Sequence, residues 1–132
     1  MKKVILDTSF LLVPYQFNID IINEIERICD FQYGLFIVDK TIDEIQSIIK
    51  KQKGKNVEAA KFAIEIIKKE GIQLIPTTDK TETYKNVDNL ILNLVNTEDY
   101  AVATQDKALK SKLRRKNIRI IELRQKKHLM ID

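Results

Sequence analysis

The chain has 132 residues, a net charge of +4, 44% apolar and 32% charged residues, which suits one globular domain spanning 1–132 with a real core and a heavily charged surface. A single cysteine, Cys29, and a single histidine, His128, exclude an internal disulfide, a Cys/His zinc site and a two-histidine ribonuclease; three scattered glycines exclude a Gly-rich phosphate loop. No apolar run approaches the roughly 20 residues of a membrane span, and the apolar stretch after Met1-Lys2-Lys3 stops at Asp7, so neither a membrane location nor a signal peptide is expected and a cytoplasmic setting is the simplest one.

Residues 3–6 read as a strand buried on both faces, because Val4-Ile5-Leu6 is a continuous apolar run that ends abruptly at Asp7. A helix is predicted from about Ile19 to Asp30, with Asn18 as its N-cap, Ile21, Ile22, Ile25 and Ile28 on one face, and Cys29 as a core thiol beside them. "GLFIV" (34–38) is a second strand, ending at Asp39. Thr41-x-x-Glu44 has the spacing of a capping box and starts a helix to about Gln52; another helix covers about 57–70, with Gly71 placed to end it. "IQLIP" (72–76) is a third strand, followed by a polar loop through Lys85 and a helix over about Val87–Asn96. "YAVAT" (100–104) is a fourth strand, Lys107–Arg115 a helix, and "IRIIEL" (118–123) the last strand. Strands separated by helices predict a three-layer α/β/α sandwich with a mostly parallel sheet, and in such folds sites form beyond the carboxyl ends of the strands.

Acids recur at those ends. Asp7 follows the first strand, and Asp106 follows the fourth by two residues, where it also suits the N-cap of the next helix. Asp88 shares a helix face with Ile91, Leu92 and Val95, so its carboxylate sits on an apolar stripe and needs a partner. Glu44 flanks the stripe of Ile42, Ile45, Ile48 and Ile49, whereas Asp43 faces solvent; for Glu44 the capping box is the alternative role. Two carboxylates about 5 Å apart repel by roughly 3 kcal/mol at an effective dielectric of 20. Four together call for protons or a hard cation, and oxygen-only ligands select Mg²⁺ or Mn²⁺.

The ordered set Asp7, Glu44, Asp88 and Asp106, with Asp7-Thr8-Ser9 after the first strand, resembles the PIN-domain nucleases over essentially the whole chain. The carboxyl half, "TYKNVDNLILNLV…YAVATQDKALKSKLRRKNIRII", looks most like the PIN domains that process small-subunit ribosomal RNA in eukaryotes and their archaeal relatives. The resemblance implies that Asp7, Glu44, Asp88 and Asp106 hold Mg²⁺ or Mn²⁺ and catalyse cleavage of single-stranded RNA to products with a 5′-phosphate, with Ser9 and Thr104 or Gln105 supporting them. Several relatives carry adjacent acids where this chain has Val87-Asp88, so one ligand is missing, and the cysteine-rich metal-binding segment of some eukaryotic relatives is absent.

The expected partners are single-stranded RNA, with ribosomal RNA precursor as the finer expectation, and a second copy of the chain in a homodimer. From Lys107 to Asp132 there are ten Lys or Arg against two acids, and Lys107, Lys110, Arg114 and Arg115 are the candidates for holding an RNA backbone, with a solvated helix face as the alternative. Lys50, Lys51, Lys53 and Lys55 form a second basic cluster; Tyr84 and Tyr100 are candidate stacking residues, although Tyr100 also suits a place in the sheet. Two other functions fit the same acids or fold: a toxin ribonuclease paired with an antitoxin protein, and a non-catalytic PIN-like RNA-binding or assembly module. A haloacid-dehalogenase-type phosphatase needs a second Asp where Ser9 stands, which argues against it.

Overall fold

The computed structural model describes residues 1–77 and 86–132. In chain order the elements are β1 (Lys2–Leu6), α1 (Thr8–Leu11), α2 (Val13–Phe17), α3 (Ile21–Ile28), β2 (Tyr33–Val38), α4 (Lys40–Lys51), α5 (Lys55–Lys69), β3 (Gln73–Ile75), α6 (Val87–Leu94), β4 (Tyr100–Ala103), α7 (Lys107–Arg115), β5 (Arg119–Arg124) and β6 (His128–Ile131). The strands form one sheet in the order β3-β2-β1-β4-β5-β6, parallel except for the antiparallel β5–β6 pair. The predicted α/β sandwich is the observed one.

β1 lies at the centre because its second half, Val4-Ile5-Leu6, is apolar on both faces and fully buried. Val4 and Leu6 pack with Phe10, Leu11, Ile25, Ile45, Ala60 and Ala63 on the α1–α5 side, while Ile5 packs with Val87, Ile91, Leu109 and Leu113 on the α6–α7 side. Successive strand residues therefore feed two cores, and that is what makes three layers. The strand order reverses between β1 and β4, whose last residues Leu6 and Ala103 are in register, so the crevice beyond them is the topological switch point of the sheet.

Several local expectations change. The residues between Asp7 and Asn18, for which no element is predicted, form the two short helices α1 and α2, with Pro14 in the first turn of the latter. Asn18 does not cap α3; it ends α2 in the left-handed conformation (φ 55°, ψ 49°), and Asp20 caps α3 by accepting the Asn23 N–H. The capping box at Thr41 does not form either. The helix starts one residue earlier, with Asp39 as N-cap, because Asp39 accepts hydrogen bonds from the Lys40 N–H and from both the backbone and the hydroxyl of Thr77.

Gly71 ends α5 as predicted, at φ +60°, with Gly71 and Ile72 donating to the carbonyls of Lys68 and Ile67. β6 is an addition: the chain reverses through Gln125 and Lys126, both at positive φ without the Gly or Asn that would announce such a turn. Cys29 is partly buried against the core, and burial pushes its thiol up, which makes it a poor nucleophile. Tyr100 is buried in the sheet, while Tyr84 and most of the polar loop before α6 lie outside the described residues.

Candidate active site

Asp7 is the residue where β1 stops, and it is 3% exposed. Its backbone N–H still pairs with the Ala103 carbonyl, so its position is set by the sheet itself. Its carboxylate is gripped on one oxygen: the hydroxyls of Ser9 and Thr104 both donate to Oδ2, at 2.7 and 2.8 Å. Each hydroxyl also accepts a backbone N–H from the loop after β4, Gln105 to Ser9 at 3.1 Å and Asp106 to Thr104 at 3.1 Å. A hydroxyl has one proton to give and lone pairs to receive, so this pairing uses both capacities and fixes the two strand ends to each other. Oδ1 is left without a donor among the described residues.

Thr8, to which the sequence reading gives no role within Asp7-Thr8-Ser9, completes the tripeptide. Its hydroxyl donates to Glu44 Oε1 at 2.8 Å, tying the start of α1 to α4. The Asp-Thr-Ser sequence is thus a three-residue positioning device: Asp7 is held by Ser9, and Thr8 holds Glu44. Gln105 turns the other way, its side-chain Oε1 accepting the Leu123 N–H at 2.7 Å.

Asp106 has the capping role expected of it: Oδ1 accepts the Leu109 N–H at 2.8 Å at the start of α7. Asp88 sits in the first turn of α6, a helix capped by Asn86. A carboxylate in a helical first turn is ordinarily stabilised by the helix dipole. Here Asp88 is instead pushed up to about 6, first by burial and then by the negative charges of Asp7, Asp106 and Glu44, with Lys112 opposing them. Those three neighbours come from three other elements and span most of the chain, so the acids singled out from sequence share one electrostatic environment.

The basic candidates divide into two settings. Lys107 and Arg115 are exposed. Lys110 and Arg114 are engaged with Glu122, at 3.0 and 3.3 Å, and Arg124 approaches the same carboxylate at 3.4 Å. Glu122 is 6% exposed and was legible in the sequence only as one acid in a basic run. Lys112, the cation that acts on Asp88, was visible there only as part of the same run.

The family resemblance implies a divalent ion, and the donor set suits one in kind: four carboxylates, hard oxygen ligands, one of them carrying the repulsion of the other three. In this arrangement no three His, Cys, Asp or Glu among the described residues are grouped closely enough to share one ion, so direct ligation by three acids would require side-chain rotation. Also among the described residues, no helix is long and apolar enough to cross a membrane.

Comparison with known proteins gives three concordant results. A family model described as a PIN-like domain matches residues 4–126. The chain is 34% identical to "Ribonuclease VapC4" of Methanocaldococcus jannaschii over 134 aligned positions, covering 99% of this chain and 97% of that protein. In three dimensions it is similar to the PIN domain endonuclease Utp24, with a TM-score of 0.76 and 23% identity, over 98% of this chain and 90% of the other.

Proposed function

The chain belongs to the PIN-like domain family, and from that premise we propose that it is a divalent-metal-dependent endoribonuclease whose site is Asp7, Glu44, Asp88 and Asp106. One observation carries the proposal: the carboxyl group of Asp88 feels the charges of the other three acids, at the switch point of a parallel sheet. Three acids whose charges act on the carboxyl group of a fourth favour a cation site over a structural role.

In this mechanism Asp7, Glu44, Asp88 and Asp106 would hold Mg²⁺ or Mn²⁺. A divalent ion there supplies Lewis acidity, neutralising charge that develops on the phosphodiester and lowering the pKa of water. The protein's own contribution is placement. Ser9 and Thr104 fix Asp7 by one oxygen and leave the other available; Thr8 does the same for Glu44; Asp106 is fixed through the α7 N-terminus. Burial and the neighbouring acids push the Asp88 carboxyl up to about 6. The exposed Lys107, Arg114 and Arg115, with the more buried Lys110, supply the positive field that draws a polyanion to the acids.

The substrate proposed is single-stranded RNA, with ribosomal RNA precursor as the finer assignment. The near full-length likeness to a protein named as a ribonuclease supports RNA, and it equally suits a toxin ribonuclease restrained by an antitoxin protein. Incubating the purified protein with structured and unstructured RNA, with and without Mn²⁺, tests the activity directly. Cleavage of unstructured RNA only with metal is the expected result. Binding without cleavage, whatever metal is added, would leave an RNA-binding or assembly module instead.

A further inference from the structure

Glu122 lies in β5 one residue beyond Ile121, which is in register with Ala103 of β4; Thr104, the residue that holds Asp7, lies one beyond Ala103. The two carboxylate systems therefore stand at the same end of the sheet, on adjacent strands. Gln105 links them physically, its N–H on Ser9 and its side chain on the Leu123 N–H.

Around Glu122 the charge is out of proportion to what burial requires. Lys110, with a side chain 13% exposed, contacts Oε1 at 3.0 Å and by itself neutralises the buried carboxylate. Arg114 and Arg124 are added to it, at 3.3 and 3.4 Å, and their side chains remain 52% and 49% exposed. Three cations on one acid leave a surplus of two positive charges. Arg114 faces Glu122 through a single terminal nitrogen and Arg124 through Nε, and neither guanidinium has another side-chain acceptor among the described residues. A guanidinium has five donors in a planar fork that matches phosphate, so each arginine keeps donors for an anion while its orientation is set by the buried acid.

We propose that Arg114 and Arg124, braced on Glu122 together with Lys110, form a phosphate subsite that holds the RNA backbone beside the acidic crevice, away from the bond that is cut. Glu122 is the positioning residue of this subsite, and Arg124, two residues along the same strand and so on the same face, is its second contact. The inference rests on the ribonuclease proposal and adds to it a path for the strand, from the switch point across β4 and β5 toward the hairpin.

The test measures binding of a single-stranded RNA oligonucleotide without divalent metal as a function of salt. Each phosphate contact on a single strand contributes roughly −0.7 to the slope of log affinity against log salt. Arg124→Gln should bind several-fold more weakly and flatten the slope by about 0.7, and the Arg114→Gln/Arg124→Gln pair by about 1.4, with melting temperatures close to the wild type. Arg124→Lys should restore the slope but not the full affinity, because the charge returns without the fork. If the wild type binds and cuts RNA while the arginine variants keep its affinity and slope, the arginines serve Glu122 alone and the subsite is refuted. If the wild type itself neither binds nor cuts RNA, the ribonuclease proposal fails first and the subsite falls with it.

Discussion

Asp88 and Glu122 stand on the same side of one sheet, and for both the largest influence on the carboxyl group is burial, which favours the neutral form. They end in opposite states. Asp88 has three acids for company and is pushed up to about 6. For Glu122, hydrogen bonds and charges from Lys110 and Arg124 outweigh burial and hold it below the usual carboxylate range. Folding has met the cost of burying Glu122 with its own side chains, and among the described residues offers Asp88 only the opposing charge of Lys112. An uncompensated cluster in a crevice is a place where something else binds; a compensated one is finished structure, except where its compensation is in surplus.

The strongest way to break this contrast is to remove a charge from the uncompensated side. Asp7→Asn keeps the shape and the Ser9 and Thr104 contacts but loses a negative charge, so metal-dependent RNA cleavage should fall by more than about 100-fold while the fold persists. Removing only an orienting hydroxyl, in Thr104→Val, should cost less, in the range of about 10–100-fold typical of groups behind a metal ligand. Single-turnover cleavage rates on one oligonucleotide measure both. An Asp7→Asn protein that cuts at the wild-type rate would remove Asp7 from the mechanism.

On the compensated side the effect should appear in stability. Glu122→Gln leaves Lys110, nearly buried, facing a neutral amide. Breaking a buried pair ordinarily costs 3–5 kcal/mol, but the two arginines can turn to solvent, so about 2 kcal/mol is expected, read from denaturant midpoints at constant slope.

The contrast also predicts opposite pH dependences. Asp88 has a raised folded pKa, so its contribution to stability is fully present below its ordinary value of 3.8 and is lost as pH rises through about 6. Glu122 has a lowered one; its contribution is present above the ordinary 4.5 and is lost as pH falls through its folded value. Metal-free Asp88→Asn should therefore melt above the wild type at pH 7, with the gap closing toward pH 4. Adding Mn²⁺ at pH 7 should raise the wild type more than the variant. A wild type that melts above Asp88→Asn at pH 7 without metal would mean that the neighbouring acids do not repel it.

What could be read from sequence follows the range of the interaction. The central strand was legible because Val4-Ile5-Leu6 has no polar face, and the acids because a carboxylate on an apolar stripe or at the end of such a strand is anomalous on its own element. Local chemistry misled where a distant residue took over: Asp39 starts α4 because Thr77, 38 positions away, holds its carboxylate, and Glu44 is tied to Thr8, 36 positions away, and not to a capping box. The basic run before the carboxyl end showed how many cations there are, yet not that Glu122 binds three of them: Lys110 and Arg114 reach it from another element, 12 and 8 residues away, and Arg124 lies two residues along its own strand, just past the end predicted for that strand. The β5–β6 hairpin was missed because Gln125-Lys126 is not turn chemistry.

The smallest expected effect comes from a buried polar group with no hydrogen-bond partner among the described residues. Thr41 is fully buried in the first turn of α4, and its hydroxyl oxygen is unpaired among the described residues. An unsatisfied buried hydroxyl is a net cost, and valine has nearly the same shape, so Thr41→Val exchanges a desolvated polar atom for a methyl in contact with the core. Helix propensity scarcely distinguishes the two β-branched residues. The variant should be as stable as the wild type or more stable by up to about 1 kcal/mol, with RNA cleavage unchanged because the Thr41 hydroxyl hydrogen-bonds to none of the four acids. A loss of more than about 1 kcal/mol in the denaturation midpoint would show that the hydroxyl has a partner after all, and would move Thr41 from the uncompensated class, where Asp88 stands, to that of Glu122.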